Sequence, residues 1–292
     1  MLRFPTRACR TWIPAIVIAV LVAGVVLRHL GHPLLWNDEA ETAMYGQRIL
    51  TFGYPKADDG RNLVYEALAP LAVAVKQPGS VYIGSTWGQY YVGALSVAFA
   101  DRTGDPFAKT QRVRLPFTLA GLLGLGAFAA LLVSLHRDAP AAAALPVALL
   151  FGLFLLSPSL QLHLREARHY PLMVLLTGLV LLVHIRLHVQ GSPSRLSALA
   201  EAILLVLVFN VFYPGFFLLA AALGLERTVA PRTGSAAQRF RALARDLAPL
   251  ALAALLVLPI AVYFGVFDVA PKLGGRASAD GSRALGVFLF AV

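Results

Sequence analysis

Long apolar runs separated by short charged segments constrain this chain more than any other feature. Several runs exceed about 18 residues, the length that an α-helix needs to cross a bilayer. Only 14% of the 292 residues are charged, whereas soluble domains commonly carry about 25%. The sequence therefore predicts an all-α, polytopic membrane helical bundle. We place its spans, to within about three residues, at 13–30, 115–135, 141–160, 170–187, 197–210, 213–226 and 247–267.

The same runs predict one membrane domain that covers residues 1–292. We assign 1–30 to a basic tail and the first span, 31–114 to a long loop, and 115–267 to six further spans. Residues 268–292 would form a last loop and the start of an eighth span, because their apolar end is too short to cross a bilayer. We therefore expect the chain to be part of a longer protein, truncated at its C-terminus.

The distribution of arginine indicates the orientation of the bundle. With the N-terminus in the cytoplasm, eleven arginines fall on cytoplasmic segments and only five basic residues on the short outer loops, which is the bias that membrane proteins show. A bacterial inner (plasma) membrane protein with 31–114 on the outer face is the prediction. One helix kinked at 213–215, in place of two spans, would reverse all later segments, but the arginine-rich segment 227–245 favours two spans. The net charge of +10 suits lipid headgroups, and we expect no nucleic-acid partner.

The segment 31–114 is predicted to hold helices that lie at the membrane surface. Residues 38–50 are strong helix formers with acids at their start, where they complement the helix dipole. Residues 86–100, TWGQYYVGALSVAFA, carry the tryptophan and tyrosines that are typical of an interfacial helix. Further along, the glycines of 121–126 are spaced for close packing between helices.

Acidic residues are concentrated where a site is most plausible. Eight of the 15 fall in 31–114, beginning with the three acids of WNDEAE (36–41), and another, Glu166, lies with Arg165 and Arg168 in the turn HLREARHYP on the same predicted face. Charges between apolar spans are costly unless they pair or face water. One interpretation is purely structural: the charges of HLREARHYP form a salt-bridged turn, and the acids of 36–41 form the solvated start of a helix. The other is a wet cavity in which a carboxylate acts as general base and guanidinium groups hold a phosphate.

Histidine and cysteine offer no complete metal site in the sequence. His163 and His169 flank the charged turn, but no third ligand accompanies them. His184 and His188 are four residues apart at a cytoplasmic helix end, where they suit the helix dipole and lipid headgroups. The single cysteine, Cys9, excludes an internal disulfide and a cysteine zinc cluster. The sequence therefore predicts no metal-binding residues.

Three stretches in order resemble the GT-C membrane glycosyltransferases, specifically the dolichyl-phosphate-mannose protein mannosyltransferases and the aminoarabinose transferases. The first resembles the acidic motif at the start of that family's first outer loop, the second its Arg-x-Pro entry to the next span, and the third its Arg-Glu-Ala-Arg-x-Tyr turn. The resemblance implies a bundle of GT-C type. The stretches are NDEAETAMYGQRILTFGYP (37–55), RVRLPFTLAGLLGLGAFAALL (112–132) and SPSLQLHLREARHYPLMVLLTGLVLL (157–182).

The resemblance also implies a reaction: transfer of a sugar from a polyprenyl-phosphate-linked donor to an acceptor hydroxyl at the outer membrane face, with inversion. By resemblance, Asp38 is the general base and Glu39 its neighbour in the catalytic site. The acceptor, whether protein, lipid or glycan, and the need for a divalent cation both stay open. The predicted substrate-binding residues are Glu166, Arg165, Arg168, Tyr170 and Lys76.

Two other functions are compatible with the same sequence. A non-enzymatic transporter or lipid flippase would use the acids as substrate or proton sites, although the paired halves common in transporters are not visible here. An inactive accessory subunit would keep the bundle and lack the reaction.

Overall fold

The structure is a computed structural model in which residues 6–63, 75–76, 78–100, 102–189 and 194–267 are described. Within these ranges the chain is mostly helical, with a single short antiparallel β-hairpin, β1 (Val75–Lys76) and β2 (Val81–Tyr82). The predicted last loop and apolar end, 268–292, lie outside the described residues. The α-helices are α1 (Thr6–Leu27), α2 (Asn37–Phe52), α3 (Gly88–Ala100), α4 (Pro106–Leu135), α5 (Ala144–Leu156), α6 (Pro158–Arg165), α7 (His169–His184), α8 (Arg195–Val211), α9 (Tyr213–Val229) and α10 (Ala236–Tyr263).

Four stretches of helix among the described residues are long and apolar enough to cross a membrane, which is consistent with the predicted all-α membrane bundle. They are Arg10–Leu27, Pro106–Leu135, His169–His188 and Ala236–Tyr263. The bent pair of α5 and α6 adds a fifth if it is one broken span. The structure thus supports four or five spans, fewer than the seven predicted. The difference lies largely in α8 and α9, whose 17 residues each extend only about 25 Å, less than the roughly 30 Å of a bilayer core.

The predicted span at 141–160 is interrupted at Ser157. The Ser157 hydroxyl accepts a hydrogen bond from the Leu160 N–H at 3.4 Å, and Pro158 occupies the first turn of α6. Serine at the N-cap and proline in the first turn are both favoured at helix starts. A new helix therefore begins inside the apolar run, bent by 86° from the preceding one, so the predicted span at 141–160 consists of two helices.

Two helices begin well before the apolar residues that predicted them. The Asp105 carboxylate caps α4 by accepting from the N–H groups of Phe107 and Ala108 at 3.2 and 3.1 Å. Ser235 caps α10 through a capping box with Gln238. The helices therefore extend over charged turns that precede the apolar part of each span.

The helices α8 and α9 form an antiparallel hairpin around Phe212, whose backbone is extended at φ −157° and ψ 94°. Glu201 lies eleven residues before this break and Glu226 fourteen residues after it. A continuous helix would separate the two acids by roughly 37 Å at 1.5 Å per residue. Both instead contact the imidazole of His184, at 2.6 and 3.2 Å. Residues 195–229 therefore form two helices and not one kinked helix, although neither is long enough to count as one of the two predicted spans.

The helices α4 and α7 pack closely because α4 carries glycine at the contact. A Cβ atom added to Gly124 would lie 2.6 Å from the backbone nitrogen of Leu175, and one added to Gly121 would lie 3.2 Å from Cβ of Pro171, both on α7. The predicted packing role of this glycine-rich stretch is confirmed at both positions. At Gly126 nothing lies within 4 Å of such an atom, so the third glycine is not required for packing.

The helices α2 and α3 form a pair that matches the two surface helices predicted within 31–114. Tyr45 stacks on Tyr82 at 4.3 Å and packs against Tyr90 at 4.8 Å between ring centres. After α2 the chain wraps around the buried Arg48, which donates to the carbonyl of Lys56 at 2.7 Å, among other loop acceptors. The loop and the β-hairpin were not predicted, because strands of two residues each are too short to show an alternating apolar pattern.

Candidate active site

A buried ion pair fixes the start of α2 against α4. The Glu39 side chain is 0% exposed and that of Arg114 is 7% exposed. Arg114 donates from Nε to Glu39 Oε1 at 2.8 Å and from Nη2 to Oε2 at 2.6 Å, the bidentate geometry that makes such pairs strong. Its Nη1 also donates to the carbonyls of Leu30 and Pro33. One guanidinium group therefore holds the segment between α1 and α2 in place.

The same carboxylate fixes the turn between α6 and α7. The N–H of the buried Ala167 donates to Glu39 Oε1 at 2.8 Å. Ala167 lies between Glu166 and Arg168, so this bond holds both of their side chains beside the start of α2. The structure thus brings the two charged stretches of the sequence together, as predicted from their assignment to one membrane face.

Asp38 faces this turn and pairs with Arg168. Its Oδ2 lies 2.6 Å from Arg168 Nη1, and the two side chains are 28% and 22% exposed. The Arg168 guanidinium carbon lies 5.4 Å from the ring centres of both Trp36 and Tyr170, within the range of cation–π attraction. The pair is therefore held in place by aromatic rings and remains accessible to water.

An open cavity of about 360 Å³ lies beside this pair, and its volume is in the range of small-molecule sites. Asp38 does not line the cavity but touches its wall through Arg168. Of the predicted site residues, those that line the cavity are Glu39, Arg165, Glu166, Arg168 and Tyr170.

Arg165 gives the cavity a positive charge that forms no direct ion pair with a carboxylate of the described residues. Its Nη2 donates to the carbonyl of His29 at 2.8 Å and approaches that of His32 at 3.5 Å. Among the residues that the structure describes, no carboxylate lies within 4.0 Å of its guanidinium nitrogens, whereas Arg114 and Arg168 each pair with one. A guanidinium that is partnered only by carbonyl oxygens can still bind a phosphate strongly.

Glu166 is buried and contacts a histidine. Its Oε2 lies 3.2 Å from Nδ1 of His163. The ring of Tyr170 lies between two imidazoles, 4.4 Å from His163 and 4.2 Å from His169. In the described part of the chain, neither histidine belongs to a group of three residues with metal-ligand spacing.

Lys76 is the predicted site residue that the structure places elsewhere. It is exposed on β1, and its Nζ lies 4.3 Å above the ring of Tyr263 at the end of α10. It does not line the cavity.

Arg114 is the residue at this site that sequence reasoning did not assign. The sequence gives it no role beyond its place in the Arg-x-Pro motif of the stretch RVRLP, because nothing local links it to an acid 75 residues away. An arginine two residues before Pro116 in an apolar helix is the signal that could have drawn attention to it, since a buried guanidinium needs a partner.

No protein-family model, curated protein or solved structure matches this chain. The likeness to the GT-C glycosyltransferases therefore stands on the three sequence stretches alone. Independently of any likeness, the arrangement can bind an anion at Arg165 and accept a proton at Asp38.

Proposed function

We propose that this protein is a membrane glycosyltransferase of GT-C type that transfers a sugar from a polyprenyl-phosphate donor to an acceptor hydroxyl, with inversion. The observation that carries the proposal is the guanidinium of Arg165, which has no carboxylate partner in the described part of the chain and lines the same cavity as the Arg168 that pairs with Asp38. A cationic pocket beside an accessible carboxylate suits a substrate that has a phosphate leaving group and a hydroxyl nucleophile.

The donor phosphate binds between the two arginines in this proposal. Arg165 meets the phosphate without giving up an ion pair, because its present partners are carbonyl oxygens. Arg168 is held over Trp36 and Tyr170 and turns from its carboxylate partner to the phosphate. The lipid tail stays in the bilayer while the anionic group is bound at the end of α7.

Binding of the phosphate to Arg168 frees Asp38 to act as the base. The acceptor oxygen attacks the anomeric carbon and its proton moves to the Asp38 carboxylate, while the bond from that carbon to the phosphate oxygen breaks. The leaving polyprenyl phosphate takes the electron pair, and the guanidinium groups stabilise its charge. Glu39 positions this site through Arg114 and Ala167, and Lys76 takes no part.

The proposal includes a location. The site faces the outside of a bacterial inner membrane, the N-terminus is cytoplasmic, and the acceptor is a protein, lipid or glycan of the cell envelope. The arginine bias of the sequence and the position of both charged stretches at one end of α7 support this orientation.

The test is transfer of radiolabelled sugar from polyprenyl-phosphate donors by membranes that contain the protein. The label is followed into the protein, lipid and glycan fractions. Asp38→Asn should reduce transfer by at least about 100-fold, the lower end of the range for loss of a general base. Arg165→Ala should weaken binding of polyprenyl phosphate, because it removes the Arg165 guanidinium.

Glu41→Gln is the matched control for the Asp38 variant. It lies on the same helix and retains an acceptor for the Tyr90 hydroxyl, which donates to Glu41 at 2.9 Å. Full transfer by Asp38→Asn would refute the assignment of the base. Proton-coupled uptake in proteoliposomes without any sugar transfer would instead support the transporter, a second candidate favoured by the charged clusters at both ends of α7.

A further inference from the structure

A second polar cluster lies at the opposite end of α7 from the candidate active site. His184 ends the helix, and His188 follows it in a π-helical turn, Ile185–Val189. Their rings lie 4.6 Å apart, and both face Glu201 of α8. A π-turn is rare and occurs frequently at functional sites. This cluster has no part in the function proposed above.

Glu201 is a buried carboxylate that lacks a permanent positive partner. Its side chain is 1% exposed, and among the described residues its ion-pair contacts come only from the two histidines. The nearby arginines already have carboxylate partners: Arg227 pairs with Glu226, and Arg232 with Asp246. A buried charge of this kind requires either protonated imidazole or a bound cation.

Two atoms in the cluster are buried without a hydrogen bond. Nε2 of His188 and Oε2 of Glu201 lie 3.5 Å apart, and neither has a hydrogen-bond partner. The side chain of His188 is 93% buried, with 7% exposed. Because buried polar atoms in folded proteins are nearly always satisfied, two such atoms facing each other indicate an absent partner between them.

The other nitrogens of the two histidines face carboxylates. Nε2 of His184 lies 3.2 Å from Glu226, and Nδ1 of His188 lies 4.0 Å from Asp246. A neutral imidazole that directs its N–H to such a carboxylate presents its other nitrogen as a lone pair. In this tautomer, His184 Nδ1 and His188 Nε2 both present lone pairs to Glu201, and Nδ1 of His184 does so at 2.6 Å. An imidazole lone pair and a carboxylate oxygen at so short a distance repel each other unless a cation lies between them.

We propose that His184, His188 and Glu201 bind a divalent transition-metal ion, with Zn²⁺ the ion that best fits two imidazoles and one carboxylate. One ligand atom from each of the three lies within 4.8 Å of the others. Tetrahedral Zn²⁺ with bonds of about 2.1 Å sets this separation near 3.4 Å, so the side chains close by about 1.4 Å at most. Small rotations of the imidazole and carboxylate groups supply that movement.

The outer carboxylates complete the design of the site. Glu226 lies 3.2 Å from Nε2 of His184 and accepts its ring N–H, the arrangement that orients histidine ligands in metal sites, whereas Asp246, 4.0 Å from Nδ1 of His188, is too far away for a hydrogen bond and acts through its charge. The ion thereby joins α7 to α8, and the outer carboxylates add α9 and α10. A metal at this position would brace the cytoplasmic end of the helix bundle, and its fourth coordination position is open to water or another ligand.

The test uses the full chain in detergent, purified without a polyhistidine tag, stripped with a chelator and titrated with Zn²⁺ alone. One Zn²⁺ per chain is expected by elemental analysis, and Co²⁺ should give the visible absorption of a tetrahedral site. His188→Ala should weaken Zn²⁺ binding by more than about 100-fold, and Glu226→Gln by about 10-fold or more, the smaller effect that loss of an outer partner has.

His136→Ala is the matched control, because His136 ends α4 and its Nδ1 contacts the Leu132 carbonyl at 2.8 Å, away from this cluster. The affinity of the His136→Ala protein for Zn²⁺ should equal that of the unaltered protein. His188→Ala decides the question even if changes at the buried Glu201 prevent folding, since Nε2 of His188 has no hydrogen bond to lose. Absence of stoichiometric Zn²⁺, or equal binding by His188→Ala, would overturn the proposal in favour of a protonated histidine cluster.

Discussion

The ion pair between Glu39 and Arg114 allows a quantitative test of how this bundle is held together. The perturbation is Arg114→Met, which keeps an unbranched side chain of similar reach and removes the charge. Glu39 then stays fully buried with only backbone donors, the N–H of Ala167 at 2.8 Å and that of Trp36 at 3.4 Å. The variant therefore leaves an uncompensated carboxylate inside the protein.

The expected loss of stability follows from these contacts. Two charge-assisted hydrogen bonds to Glu39 disappear, besides those to the carbonyls of the segment before α2, and each of the two contributes about 1.5–3 kcal/mol. Loss of one partner from a buried ion pair costs about 3–5 kcal/mol, in agreement with that sum. At about 2–4 °C per kcal/mol for a chain of this size, the melting temperature of Arg114→Met should fall by roughly 10 °C.

The assay is thermal unfolding in detergent, followed by circular dichroism. Arg112→Met is the matched control, because Arg112 lies two residues earlier on α4, is exposed, and makes a single hydrogen bond to the carbonyl of Phe99 at 3.3 Å. It should melt within about 2 °C of the unaltered protein, as exposed substitutions usually do.

A double variant separates the buried charge from the lost packing. Glu39→Gln combined with Arg114→Met removes the charge while the amide oxygen still accepts from Ala167. It should be more stable than Arg114→Met alone, since replacing a buried pair costs less than breaking it. The reasoning is refuted if Arg114→Met melts like Arg112→Met, or if the double variant is the less stable of the two.

Two further predictions concern the packing of α4 and the loop after α2. Gly124→Ala should cost about 1–3 kcal/mol of unfolding free energy because its Cβ would lie 2.6 Å from a backbone nitrogen of α7, whereas Gly126→Ala should cost nothing; equal thermal midpoints for the two variants would contradict this packing. The N–H groups of Asn62 and Arg61 lower the pKa of Asp59 from 3.8 to about 2, so its carboxylate stabilises the turn above about pH 4 and this contribution is lost as the pH falls towards 2. Hydrogen exchange at the Asn62 amide should show that loss, and Asp59→Ala, which removes the acceptor, should leave the amide unprotected at every pH; protection that persists in the variant would contradict the assignment.

Hydropathy located most helices because the free energy of transfer into lipid dominates a long apolar run. Hydropathy placed the start of α4 nine residues late, because the helix begins before its apolar part and includes the exposed Lys109 and Arg112. Backbone hydrogen bonding and the Asp105 cap determine where this helix starts. Hydropathy also missed the bend at Ser157, although serine before proline is a recognisable helix start. Local chemistry could have supplied both corrections.

The contacts of the candidate site could be predicted only in part. Charge distribution assigned the acids near residue 38 and the turn at 165–169 to one face, and the structure brings them together. Arg114 and the cluster around Glu201 were not predicted, because their partners come from different helices. Lys76 was chosen by resemblance, and its position beside Tyr263 depends on a hairpin whose strands of two residues each are too short to be recognised, although Pro78-Gly79 marks its turn.

The two neighbouring acids of α2 show how one helix can serve both structure and chemistry. Successive residues of an α-helix point about 100° apart, so Glu39 faces α4 and is fully buried, while Asp38 faces the turn before α7 and stays accessible. Glu39 holds that turn through the N–H of Ala167. The same turn places Arg168 beside Asp38. The buried Glu39 therefore sets the position of Arg168 beside Asp38, the residue that we propose as the base. Glu39→Ala, which removes the acceptor for the Ala167 N–H, should accordingly misplace Arg168 and reduce transfer even though Asp38 is intact, and a fully active Glu39→Ala protein would show that the two acids act independently.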